Sequence, residues 1–329
     1  MKAAVIGAGS WGTTVAAKLA PKTETVLWAR RAELVERINA GSNPDYLDGF
    51  DLPLELTASA DLDQTIAGAD VVVMGVPSHG YRAVLEQAAP HIAPDVPVLS
   101  LTKGVEQATL MRMTEVTADV LPDHDEALIG VLTGPNLARE IMAGQPAATV
   151  IAMADHEAAV GLQSLIMGPL FRVYTNTDVV GAESAGATKN VMAIAAGMAE
   201  GLGLGLNTVS MLMTRALVEM SRLGLALGGE AATFAGLAGM GDLIATCMST
   251  LSRNHRVGVG LGRGKTVDEI VAEMNMVAEG VKSTKGILEL AHRSGVEMPI
   301  AEQVGRVLYE DASVPEAVSL LMGRPPKRE

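Results

Sequence analysis

A chain of 329 residues exceeds what one hydrophobic core usually organises, and a prior of ~150 residues per domain gives two. Hydrophobic residues make up 48% of it and aromatic residues only 3%, so the core must be built from Ala, Val, Leu, Ile and the 18 Met, which act as ordinary gap fillers. A formal net charge of -13 argues against nucleic acid or an anionic membrane as the main partner, since both need clustered Lys and Arg; a small phosphorylated molecule held by a few local cations stays open.

The opening Met1-Lys2 and apolar run look like a secretory signal, but the three glycines that follow make a first strand and turn the better reading. From the start to about residue 180, short β-branched runs alternate with segments of helical period, the pattern of a parallel sheet with crossover helices. The strands expected are 3–6, 25–28, 71–75, 96–101, 128–132 and 149–153, several of them continuous apolar runs as for strands covered on both faces. Residues 43–53, with two Pro, read as a loop. After Gly181 the strand signal vanishes, and Ala-, Leu- and Met-rich helical segments with glycine joints predict an all-α second domain, dividing the chain at 1–180 and 181–329. The most apolar helical stretches fall well short of the ~20 residues that span a bilayer, so no membrane insertion is expected. Residues 324–329 read as a frayed tail.

The segment Gly7-Ala8-Gly9-Ser10-Trp11-Gly12 follows an apolar strand and opens a helix expected over 13–20, which places G-x-G-x-x-G in its required context. Gly7 permits the turn, Gly9 admits a pyrophosphate to the backbone, and Gly12 lets helix and strand pack closely. The fold class expected is therefore α/β, an N-terminal Rossmann-type doubly wound sheet followed by the helical domain. Trp11 either shelters the site or only packs. Where an NAD enzyme usually places Asp or Glu, ~20 residues on, the chain has Arg30 and Arg31. Two guanidiniums there suit a 2′-phosphate, favouring NADP(H) with NAD(H) left open; the alternative is a pair of solvated helix-start charges.

Lys189 stands with Asn190 inside residues 182–199, which are otherwise almost all small or apolar. A lysine there is either partly buried, where desolvation favours the neutral amine a proton relay needs, or snorkels to the surface. The six His are scattered and Cys247 is alone, so no metal site is expected; the thiol reads as a buried structural group in a reducing, cytoplasmic compartment.

The run Glu183-Ser-Ala-Gly-Ala-Thr-Lys189-Asn190-Val-Met-Ala-Ile-Ala-Ala-Gly197, then Gly203-Leu-Gly-Leu-Asn207-Thr, resembles the signature of NAD(P)-dependent glycerol-3-phosphate dehydrogenases. So do Thr233-Phe-Ala-Gly-Leu-Ala-Gly-Met-Gly-Asp242-Leu-Ile-Ala-Thr246-Cys, Leu251-Ser252-Arg253-Asn254, Leu101-Thr-Lys103-Gly104, Gly134-Pro135, Val277-Ala-Glu279-Gly280-Val281 and Gly295-Val-Glu-Met-Pro-Ile300. The resemblance runs from residue 1 to about 310. It implies interconversion of dihydroxyacetone phosphate and sn-glycerol 3-phosphate, feeding glycerophospholipid synthesis, with Lys189 as proton donor and acceptor and Lys103 and Asp242 beside it. It further implies a substrate site formed with Gly134, Asn136, Asn190, Ser252, Arg253 and Asn254. Cofactor contacts are implied for Ser10, Trp11, Arg30, Lys103, Ala138, Arg253, Val277 and Glu279, in addition to the glycine loop.

Plainer roles exist for several of these residues: a helix N-cap for Asp242, a solvated turn for 252–255 including His255, a helix-end charge for Glu279, and a loop position for His79. The chain departs from the family's usual choices at Asn136, Ser184, Thr188, Leu206, Val209 and Asn275. A paralogue acting on another polyol phosphate or ketone, and a non-catalytic NADPH-binding regulator, are the alternatives. A homodimer fits an Ala- and Met-rich helical half, though no residue marks its interface.

Overall fold

The structure, a computed structural model, describes residues 1–274 and 278–326. Eight strands form one sheet: β1 (Lys2–Ile6), β2 (Glu24–Trp28), β3 (Leu56–Ser59), β4 (Val71–Met74), β5 (Val98–Ser100), β6 (Ile129–Thr133), β7 (Ala147–Met153) and β8 (Phe171–Asn176). Their spatial order is β3-β2-β1-β4-β5-β6-β7-β8. Successive residues of one strand serve different cores. Val71 and Val73 join the cluster with Val5, Leu27 and Leu99, while Val72 and Met74 join the one with Ile6, Leu85 and Val98. That is the doubly wound arrangement, and it explains why β4 is buried throughout.

The sheet is not wholly parallel. β7 runs antiparallel to β6, Leu132 opposite Ile151, while β8 is parallel to β7. The two strands absent from the sequence reading, β3 and β8, are the sheet's edges. In β8, Phe171 and Val173 are buried while Arg172 and Tyr174 are exposed, an alternation that a search for continuous apolar runs passes over. Within residues 43–53 there is also a helical turn, Pro44–Leu47.

Beyond Asn176 the described residues form helices and no strand. The central helix Val179–Gly201 is capped by Asp178, whose carboxylate accepts from Gly181 N at 2.7 Å, and every residue from Gly181 to Ala199 is buried. Its small side chains let neighbours approach to backbone contact. A Cβ added at Gly197 would lie 2.1 Å from the carbonyl oxygen of His255, and one at Gly258 would lie 2.0 Å from that of Ile194. The helix Arg253–Gly262 is thus pressed against the central one, which fixes Asn254 beside Asn190. No helix among the described residues is long and apolar enough to cross a membrane.

Candidate active site

The strand order reverses between β1 and β4, and an open α/β sheet binds its ligand in the crevice at that point. Ile6 pairs with Met74, so the two strands end level and the glycine turn rises beside Gly75. Gly7 has φ +117°, and a Cβ there would sit 2.7 Å from Gly75 O. A Cβ on Gly12 would meet Gly7 O at 2.0 Å, whereas one on Gly9 would meet nothing within 4 Å. The helix Ser10–Leu19 begins with Gly9 at its N-cap and no side-chain cap, leaving its first amides directed at that open space. Residues 7–12 therefore fit the pyrophosphate of a dinucleotide.

Two braces missed in the sequence hold this turn. Fully buried Asn43 donates through Nδ2 to Ala8 O at 3.0 Å and to Thr13 Oγ1 at 2.8 Å, and Ser10 Oγ donates to Tyr46 O. The signal for Asn43 in the sequence is Asn43-Pro44, a turn opener. Trp11 packs edge-on against Phe171, ring centroids 6.4 Å apart. Past β2, Arg31 pairs with Asp45, which also binds Arg37 at 3.0 Å. Arg30 is exposed and makes no hydrogen bond or ion pair among the described residues, so the two arginines are not equivalent. Ala138 begins the short helix Ala138–Met142, which lies against the glycine-loop helix. Glu279 opens the helix Glu279–Arg293 and accepts from Ser78 Oγ at 3.0 Å, joining the helical half to the residues after β4. Ser78 makes that contact, while His79 next to it is exposed on a helix rather than in a loop. Val277 and Asn275 lie outside the described residues.

At the junction of sheet and helices, Asp242 bridges two lysines. Its Oδ2 accepts from Lys103 Nζ at 2.5 Å and its Oδ1 from Lys189 Nζ at 2.8 Å. Lys189 is 6% exposed, so it does not snorkel. Asp242 caps nothing with its side chain; it is the first residue of the helix Asp242–Met248, 2% exposed. Lys189 also donates to Thr246 Oγ1 at 2.6 Å, and Lys103 to Gly134 O at 3.2 Å. Thr246 has no role from its motif alone; its position one helical turn after Asp242 is the signal in the sequence. An ammonium has three protons, so each lysine keeps one for a ligand oxygen.

Burial penalises the Asp242 carboxylate, yet the two ammonium groups outweigh this and hold it below the usual carboxylate range. Burial pushes the Lys103 amine down to about 8, the nearby Lys189 adding to the shift and Asp242 opposing it. Beside them the Cys247 thiol is pushed up to about 12 by burial, which leaves it inert.

The segment 252–255 is not a solvated turn. Ser252 caps the helix Arg253–Gly262 by accepting from His255 N, and His255 itself is 2% exposed, its Nε2 3.2 Å from Glu200 Oε2. Asn254 donates to Asn190 Oδ1 and accepts from Gly280 N, each at 2.9 Å. Arg253 stands exposed at the start of that helix. Gly134, with φ +133°, brings its backbone within 3.3 Å of Thr149 measured from an added Cβ, and Asn136 Nδ2 donates to Thr149 Oγ1 at 2.9 Å. Leu206 is 74% exposed, at the first position of the helix Leu206–Ala226.

A dinucleotide crevice closed by a helical half, with Asp242 bridging Lys189 of the central helix and Lys103 of the sheet side, defines a dinucleotide-dependent dehydrogenase. Residues 2–159 match the model of the NAD-dependent glycerol-3-phosphate dehydrogenase N-terminus, and residues 178–319 that of its C-terminus. A glycerol-3-phosphate dehydrogenase [NAD(P)+] of Sphingopyxis alaskensis is 58% identical over 92% of this chain and 91% of its own length. One from Thermobifida fusca is 51% identical over 100% and 98%. The crystal structure of glycerol-3-phosphate dehydrogenase from Coxiella burnetii superposes with a TM-score of 0.93 at 36% identity, covering 98% of this chain and 99% of that one. The chain belongs to the NAD-dependent glycerol-3-phosphate dehydrogenase family.

Proposed function

We propose that the protein interconverts dihydroxyacetone phosphate and sn-glycerol 3-phosphate. The observation that carries this reading is the Lys103–Asp242–Lys189 bridge beside the dinucleotide crevice. When bound, the nicotinamide supplies or accepts the hydride at the substrate's middle carbon. Lys189 Nζ gives its proton to the carbonyl oxygen in reduction and takes it back in oxidation. Asp242 holds both lysines in register, and Lys103 adds positive charge where an alkoxide develops. Arg253 and Asn254 supply donors to the substrate phosphate at a helix start, with Ser252, Asn190, Gly134 and Asn136 completing the pocket. The glycine loop, Trp11, Ala138 and Glu279 would hold the dinucleotide, and Arg253 would reach it as well.

NADPH is the preferred reductant in this reading, through Arg30 on the 2′-phosphate; Arg31 acts by way of Asp45. The enzyme works in the cytoplasm, as a homodimer, and supplies the glycerol backbone of phospholipids. Incubating purified protein with NADPH and dihydroxyacetone phosphate tests the central claim. Turnover is expected, and none across a broad pH range would reject it. A second reading, reduction of another polyol phosphate or ketone, rests on Asn136, Leu206 and Val209, of which Leu206 is exposed and Val209 half-buried. A substrate panel separates the two. Sedimentation of the purified protein decides the homodimer.

A further inference from the structure

We propose that Glu183, acting through Arg112 and Thr114, is the positioning residue that sets Lys103 against Asp242. Lys103 lies in the connection from β5 to the helix Met113–Val120. That connection doubles back: Val105 and Arg112 pair as an antiparallel bridge, Glu106 N donates to Met111 O at 2.9 Å, and Leu110 turns the chain at φ +64°. Lys103 stands two residues before one stem and Thr114 two residues after the other. A left-handed leucine is held only when the surroundings over-determine it, so the loop needs anchorage from outside.

Glu183 supplies that anchorage from the central helix. Its carboxylate, 3% exposed, accepts from Thr114 N at 3.0 Å, Thr114 Oγ1 at 2.5 Å and Arg112 Nη1 at 3.0 Å. Burial holds the group above the ordinary carboxylate range, with Arg112 and Thr114 opposing that shift. The same helix meets the other end of the connection: a Cβ on Gly186 would lie 3.6 Å from Lys103 Cγ. Lys189 follows Glu183 on this rod by six residues, ~9 Å along the axis at the helical rise. Both ends of the Lys103 connection, Lys103 itself and Arg112 with Thr114, therefore meet one rigid helix, which sets the distance between the two lysines. Arg82 with Glu106, Gln107 with Lys282 O and Val105 against Gly286 tie the loop to other elements, while Glu183 ties it to the central helix.

The inference rests on the dehydrogenase reading and is tested by a double-mutant cycle on kcat for dihydroxyacetone phosphate reduction. Glu183→Gln cannot accept all three bonds. It is expected to lower kcat about tenfold in the wild-type background but less than about twofold when Lys103 is already Met, with KM for NADPH little changed. The pH-rate limb near 8 should also move in Glu183→Gln and vanish in Lys103→Met. Thr114→Val, which removes one donor and keeps the backbone bond, should give the same pattern at about threefold, and it carries the cycle if Glu183→Gln does not fold. Equal losses in both Lys103 backgrounds, or an unmoved limb, would overturn the proposal. Absence of wild-type turnover would instead overturn the dehydrogenase reading.

Discussion

Asp242 is the residue on which the site turns, because its carboxylate bridges buried Lys189 and half-buried Lys103. Asp242→Asn should leave the lysines repelling each other and lower kcat about 10²–10⁴-fold, measured by steady-state turnover at saturating NADPH. With Lys103 lowered to about 8, the protonated form that favours reduction is lost as pH rises past that value. kcat/KM for ketone reduction should fall above pH about 8, and that for alcohol oxidation should rise. Parallel pH profiles of the two directions check this; the same slope in both directions would remove the Lys103 charge from the reacting oxygen. Lys189 could be picked from the sequence because it is a lone cation on an apolar helix. Lys103 and Asp242 show no comparable local signal: they are 139 residues apart and only a family resemblance pointed to them. Asn43, Ser78 and Thr246 are ordinary polar residues locally, and it is their burial against a distant partner that joins them to the candidate site.

The elements are placed by close backbone contact. The central helix and the helix Arg253–Gly262 touch through Gly197 and Gly258, and that contact sets Arg253 and Asn254 relative to Lys189. Gly258→Ala should force the helices apart, cost about 1–3 kcal/mol or more in urea unfolding, and raise KM for the phosphorylated substrate. If stability drops while KM stays fixed, the phosphate donors are not positioned by this contact. The helical elements and inner strands were readable because their periodicity is imposed by burial on one face or both. The edge strands β3 and β8 were not, since one neighbour and a half-exposed face leave only a weak alternation in short segments. The reversal at β6/β7 was equally hidden, because an apolar strand carries no mark of its direction.

Stability of the whole molecule should carry the imprint of a carboxylate outside the site. Glu219 is buried, its carboxylate accepting from Ile300 N at 2.8 Å and Ala301 N at 3.3 Å at the start of the helix Pro299–Tyr309. Burial pushes it up to about 7, these two amides opposing the shift. Between the ordinary value of 4.5 and 7 the folded state keeps a proton that the unfolded state has released. The stabilisation is complete below that window and declines as pH rises through it. Glu219→Gln should flatten the urea midpoint against pH across this window relative to wild type; parallel curves would contradict it. The opposite sign applies to Lys103, whose folded value of about 8 lies below the ordinary 10.5, so stability gained from it grows with pH between the two. For cofactor choice, Arg30→Ala should weaken NADPH binding about tenfold while leaving NADH within twofold, measured by fluorescence titration.

By itself, the sequence determined the dinucleotide turn, the α/β sheet followed by helices and the lysine in its apolar helix, because these are properties of neighbours in the chain. Glycine spacing, strand runs and helical period are local constraints, and local constraints are written locally. Only the tertiary structure decided that Arg31 is spent on Asp45 while Arg30 is not, that His255 is interior, and that Asp242 binds two lysines at once. Each of these depends on which distant group fills the space opposite a side chain, and desolvation then fixes its charge. That information exists once the helices have closed over the sheet.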